Sequence, residues 1–349
     1  MIQETSKTLI DKKGKIIFFG LQHFLKDIAK GDCCFICGES PRRKKFNDEH
    51  VIPDWILKRF NLYNEYITLP NGTKFKYDKY TVPCCQDCNS ELGEIYEKPI
   101  SNLLSKSYKE VVTEIEKDPN ITKLIFKWLS LIFLKTHLKD KSLLAERDRR
   151  IDKGYLADHY YWEDIHHIHC ITRSHHTNAT IENNVLGSTF ILPAMAIDRF
   201  GGFDYVDSQT GKTVMIQIGE IALIATLNDS CAGSTLFTEN FKKITGALSP
   251  FQLREIVAHL NFINLSLEER PVYKSMVNSK EHIIQAEIPE KLSLIKEEER
   301  FVSIGEFLRY YVEPIIGDIY NREKILSEIE NGNRTYLFDE SGEFINHAR

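Results

Sequence analysis

The sequence predicts an α+β protein of two domains, on three observations. The chain has 349 residues, more than one average domain of about 100–200 residues. Six of its eight cysteines fall between Cys33 and Cys88, four of them as two pairs in Cys-x-x-Cys spacing. Beyond residue 120, helical and strand-like periods follow one another with no internal repeat or low-complexity tract. The boundary is expected at 115/116, giving one domain over 1–115 and a mixed α+β domain over 116–349. The second has no readable motif; sensing, binding and oligomerisation all stay open for it.

The elements follow in order. Residues 15–19 (Lys-Ile-Ile-Phe-Phe) suit a short strand and 21–29 a short helix, broken by Gly31-Asp32. Trp55, Ile56, Phe60 and Leu62 have roughly helical spacing. Asn71-Gly72 signals a hairpin turn, and Phe75 and Tyr77 then alternate with Lys74 and Lys76 as in a half-exposed strand. Leu92, Ile95 and Tyr96 suggest a helix disrupted at Pro99, and a linker is expected over 100–120. Helices are expected over 121–137 and 250–266, and one long helix over 304–330. Thr189–Leu192, Val214–Ile218 and Ile221–Thr226 read as strands, with a turn at 207–212.

Composition narrows the function classes. The net charge of −5 argues against a wholly basic nucleic-acid coat, yet residues 1–110 hold 18 Lys/Arg against 15 Asp/Glu. A polyanion would meet that part first. The longest apolar run, Leu124 to Leu134, is shorter than the ~20 residues needed to span a bilayer. It reads as a buried helix. The first residues carry charge and no apolar core of a leader. No membrane association and a cytoplasmic location are expected.

In a reducing compartment, paired Cys-x-x-Cys knuckles favour a metal over disulfides. Cys34, Cys37, Cys85 and Cys88 supply four thiolates for tetrahedral zinc. Cys33 and Cys84 stand next to each pair and compete for the register; the x2 spacing favours Cys34 and Cys85. Between the knuckles lie 47 residues, longer than a zinc ribbon. That insertion contains Glu49-His50-Val-Ile-Pro53 with Trp55, and Asn89 directly follows the last cysteine.

This order of residues resembles the HNH (ββα-metal) endonuclease family, in the subgroup stapled by two Cys-x-x-Cys knuckles. The resemblance covers about residues 30–100. It implies a zinc-stapled ββα-metal nuclease domain that hydrolyses phosphodiester bonds, of DNA with RNA not excluded. It gives His50 the role of general base and makes Glu49 and Asn89 ligands of a catalytic Mg2+ or Mn2+, beside structural Zn2+. A neutral imidazole can take a proton from water near pH 7, and hard cations prefer oxygen donors. The family often has an Asn five residues before the second knuckle, where this chain has Tyr80; Asn64 and Asn71 are the alternatives. Its last ligand here is Asn89, not His. By analogy of layout, a restriction or phage-defence effector is implied. The alternative class is a non-catalytic zinc-stabilised module that binds nucleic acid or protein.

Two further groups stand out. Arg42-Arg43-Lys44-Lys45 precedes the Glu-His pair and suits phosphate contacts, which position a duplex without reading it. His166, His167, His169, His175 and His176 cluster with Cys170. If 165–172 is a strand, His167 and His169 share a face and a second metal is conceivable; otherwise these are exposed strand and loop histidines.

Overall fold

The apolar run Leu124–Leu134 lies inside a helix over Asn120–Lys139, buried from Ile125 to Leu138 except at Lys127. Trp128, Phe126 and Phe133 are wholly buried, and each such side chain contributes about 1.5–3 kcal/mol relative to exposure. Among the described residues no helix is long and apolar enough to cross a membrane. The computed structural model describes residues 3–4, 7–148, 150–197, 201–277 and 281–347.

The chain divides into two units, each discontinuous. The first comprises Met1–Ser105, Lys123–Val185 and Tyr273–Ala286; the second comprises Lys106–Thr122, Leu186–Val272 and Glu287–Arg349. This differs from a single boundary at 115/116. The apolar face of the long helix accounts for the difference: it fills the core of the first unit, so 123–185 belongs there. The expected linker is largely helical, with Tyr108–Lys117 capped by Ser107 and Glu110.

In the first unit, strand Phe46–His50 pairs antiparallel with strand Thr81–Cys85, His50 opposite Thr81 and Phe46 opposite Cys85. The second strand runs directly into helix Gln86–Leu92. The helix continues through a π-helical stretch, Gly93–Glu97, into Lys98–Leu103. Pro99 therefore does not end the helix: it directly follows the wider π-helical stretch, where the hydrogen-bond ladder already departs from the regular α pattern. The hairpin expected around Asn71-Gly72 forms between Tyr66–Thr68 and Lys74–Lys76. A four-stranded sheet contains Val272–Val277 and His282–Glu287 at its centre, flanked by Gln3–Glu4 and Thr180–Ile181.

The second unit is built on an antiparallel sheet in the order Phe203–Ser208, Thr213–Ile218, Ile221–Thr226, Thr189–Pro193. Its two central strands are buried at every residue, which explains their near-continuous apolar sequence. Helix Pro250–Leu265 packs against them, its first turn closed by a capping box between Ser249 and Gln252. Arg254 forms a buried two-pronged ion pair with Asp204. The long helix expected over 304–330 is two helices, Ile304–Ile316 and Arg322–Glu330. Gly317, at φ 70°, supplies the left-handed backbone that stops the first one.

Residues beyond 119 complete the N-terminal core. A chain ending at residue 119 is expected to lose both soluble expression and bound zinc. A monodisperse, zinc-loaded fragment of that length would contradict the division described here.

Candidate metal centre and neighbouring polar site

The two knuckles arise from different local structures. Cys34 and Cys37 sit in a turn closed by Gly38 N–H donating to the Cys34 carbonyl (2.8 Å) and Cys34 N–H to the Glu39 carbonyl (2.9 Å). Gly38 has φ +80°, and a Cβ there would lie 2.5 Å from the Phe19 ring. Only glycine meets both demands. Cys85 ends its strand and caps the following helix, whose first turn carries Cys88.

The sulfurs of Cys34, Cys37, Cys85 and Cys88 all lie within 4.8 Å of one another, with Cys37 and Cys85 only 3.6 Å apart. Four sulfurs about 2.3 Å from a tetrahedral zinc would be separated by about 3.8 Å. The donor set therefore fits a structural metal such as zinc. Cys33 and Cys84 fall outside this group. Cys84 Sγ approaches Cys34 Sγ to 3.8 Å, but strand alternation turns it away from Cys85. As thiols the four are in conflict. Hydrogen bonds from Cys37, Cys84 and Cys88 draw the Cys34 thiol far down. The bond to Cys34 pushes Cys37 up to about 12, and bonds to Cys34 and Cys37 push Cys88 up as well. A cation at the centre would let all four ionise.

The histidine cluster clasps this staple. Residues 165–172 are not a strand: His166–Thr172 is helical, so His167 and His169 do not share a sheet face. His169 Nε2 donates to the Phe35 carbonyl (2.8 Å) and His166 Nε2 to the Phe19 carbonyl (2.7 Å). Burial holds both imidazoles below their ordinary range, His169 strongly so. His167 stacks on Tyr273 at 4.1 Å. Beyond the helix, His176 Nδ1 lies 3.4 Å from Glu91. Cys88, Glu91 and His176 form a second group of potential donors, but Cys88 already belongs to the four-sulfur set.

Arg173 is a residue that the sequence alone does not single out. It is 2% exposed. Its guanidinium donates to the carbonyls of Ile36 and of Ile16 and lies 4.5 Å from the Phe19 ring centroid. Burial lowers its pKa to about 10, opposed by the nearby cysteine sulfurs. It remains charged at neutral pH, where a zinc with four thiolates would carry a net charge of about −2. Its signal in sequence is weak: a single arginine between the two groups of histidines.

The Glu-His pair ends its strand beside this staple. Glu49 is 7% exposed and His50 is half-buried. Glu49 Oε1 accepts from Lys135 Nζ at 2.7 Å, and the same ammonium donates to the His50 carbonyl at 2.6 Å. Glu97 Oε1 lies 3.9 Å from it. Burial pushes the Glu97 carboxyl up to about 7; Lys135 opposes the shift, and Glu49 and Asp54 add to it. Asp54 accepts from Tyr63 and pairs with Lys58 at 2.5 Å. Asn89 Nδ2 donates to Asn47 Oδ1 at 2.9 Å, which leaves Asn89 Oδ1 as an oxygen donor. Asn47 and Glu49 share one strand face, two residues apart. Asn47 and Lys135 both escaped the sequence reading, although Lys135 follows an apolar run in helical register with Trp128 and Leu131.

The remaining expected residues are also located. Arg42, Arg43 and Lys45 are exposed, and Lys44 pairs with Asp87 at 3.0 Å. The Tyr80 carbonyl accepts from Val51 N–H at 2.9 Å. Asn71 is occupied within its own turn and at the Leu144 carbonyl. No protein-family model, curated protein or solved structure matches the chain.

Full-length protein is expected to bind one zinc per chain. Cys85→Ser should lower zinc content and the thermal midpoint together, because structural zinc contributes on the order of 10 kcal/mol to folding. Unchanged stability in zinc-free protein would refute the staple.

Proposed function

We propose that this protein is a metal-dependent endonuclease of HNH type, acting on duplex DNA, with His50 as general base. The observation that carries the reading is local topology. The strand that ends in Glu49-His50 pairs with the strand that enters the Asn89 helix, and the four-cysteine set ties that strand–helix junction to the Cys34–Cys37 turn. Strand, strand and helix thus follow in the order that the ββα-metal resemblance implies.

The chemistry assigned to each residue follows from its donors. His50 would take the proton from the attacking water. Glu49 and Asn89 Oδ1 offer hard oxygen donors suited to Mg2+ or Mn2+, which when bound would offset the charge that grows on the phosphate. Arg42, Arg43 and Lys45 are exposed on the segment leading into the first strand and would attract backbone phosphates without selecting sequence. The zinc has no chemical step in this reading; it would hold the strand–helix junction at Cys85–Cys88 to the Cys34–Cys37 turn.

One observation favours the rival reading, a non-catalytic zinc module. One oxygen of Glu49 is already held in a buried ion pair with Lys135. A single assay separates the two. Purified full-length protein is expected to nick or cut plasmid DNA with Mg2+ or Mn2+. His50→Ala should lower that rate by about 10²–10⁴-fold while zinc content stays the same. Equal DNA retention by both proteins with cleavage by neither would favour the binding module, and cleavage of RNA alone would move the substrate class.

A further inference from the structure

The neighbourhood of the Glu-His pair contains a charged group that the nuclease reading does not use. Lys135 has a wholly buried side chain in the middle of an apolar helix. Burying an ammonium is costly, and ion pairs in such places are poor sources of stability compared with apolar side chains of the same volume. Its contacts indicate another role. The ammonium joins the Glu49 carboxylate at 2.7 Å to the His50 carbonyl at 2.6 Å.

Geometry makes those two contacts significant. Glu49 and His50 are both paired in the ladder, opposite Val82 and Thr81, so their side chains leave opposite faces of the strand. The strand stops at His50, and Val51-Ile52 is a bend. The peptide between His50 and Val51 is then held at both ends. Its carbonyl accepts from Lys135, and its N–H donates to the Tyr80 carbonyl at 2.9 Å. Fixing that peptide plane fixes the ψ angle of His50 and the backbone frame from which its imidazole projects. Tyr80 thus contributes through its backbone, and the side-chain hold comes from a helix far along the chain.

We propose that Lys135 is a positioning residue of this centre. It ties the Glu49 carboxylate to the His50 backbone and so sets the direction in which the imidazole is presented. The inference rests on the reading of His50 as the base. Glu97, 3.9 Å away, and Asp54 are the other charged groups facing this point. Neither donates to the His50 carbonyl, so neither can replace the ammonium in this role.

The test compares Lys135→Met with Lys135→Gln in the full-length protein, with His50→Ala alongside. The methionine keeps volume and loses both contacts. The glutamine amide can still donate to the His50 carbonyl. Single-turnover plasmid cleavage at saturating DNA should fall about 100-fold in Lys135→Met, a size typical of a misplaced catalytic group. The apparent KM should change less than about threefold, and Lys135→Gln should regain at least about tenfold of the lost rate.

A second readout needs no catalytic metal or turnover. In Mg2+-free, zinc-loaded protein, the His50 ring resonance, assigned by its absence in His50→Ala, should be single in the wild type and in Lys135→Gln. In Lys135→Met it should broaden or split. Equal rates and equal spectra for the methionine and glutamine variants would overturn the proposal, as would wild-type rates in both. If Lys135→Met does not fold, Lys135→Leu, which also loses both contacts, takes its place: a rate and a His50 spectrum identical to wild type would overturn the proposal, and a displaced resonance with a lower rate would support it. If His50→Ala cuts as well as wild type, the nuclease assignment of His50 fails instead, and the spectra alone decide what Lys135 does.

Discussion

Four sulfurs drawn to one point constrain the first unit more than any other contact. They join a turn near residue 35 to a strand–helix junction near residue 86, with 47 residues between them. Without a metal the thiols compete for protons and raise or lower one another's ionisation. With one, the same crowding becomes a tetrahedral ligand set, and the free energy of metal binding becomes folding free energy. The strand that carries Glu49 and His50 lies within the closed segment, and its partner strand ends at one of the four cysteines.

A tetrathiolate centre brings excess negative charge into a buried place, and the fold answers it with cations. Arg173 comes from the end of the histidine helix and also binds the carbonyls of Ile36 and Ile16. Lys44 lies beside Cys37 and Cys85 and pairs with Asp87. The neutral His169 and His166 hold two more carbonyls around the same turn. Two members of a cluster that looks like a set of metal ligands in sequence thus serve as hydrogen-bond donors to backbone. Burial explains why: it keeps these imidazoles uncharged and aims their N–H groups at carbonyls that would otherwise be unpaired.

Legibility in the sequence followed the range of the interaction. The cysteine register could be read because two residues between thiols is a local rule, and the four chosen sulfurs do converge. The central strands of the second sheet and the helix at 120–139 could be read because apolar runs and periods are local as well. Residue 115 fails as a boundary because assignment to a unit depends on the partner of an apolar helix face, and that partner is distant in sequence. The histidine helix was ambiguous for a related reason: seven residues without strong periodicity fit either element, and tertiary packing decided. Arg173, Asn47 and Lys135 were invisible because each acts on groups more than 40 positions away. The single helix expected over 304–330 breaks at Gly317, a stop signal present in the sequence but outweighed in that reading by the apolar period on both sides.

X-ray absorption at the zinc edge of purified full-length protein tests the central claim most directly. The predicted result is a single shell of four sulfur scatterers at about 2.3 Å with no nitrogen or oxygen. A mixed sulfur–nitrogen shell, or protein that folds fully with no zinc edge, would contradict the account.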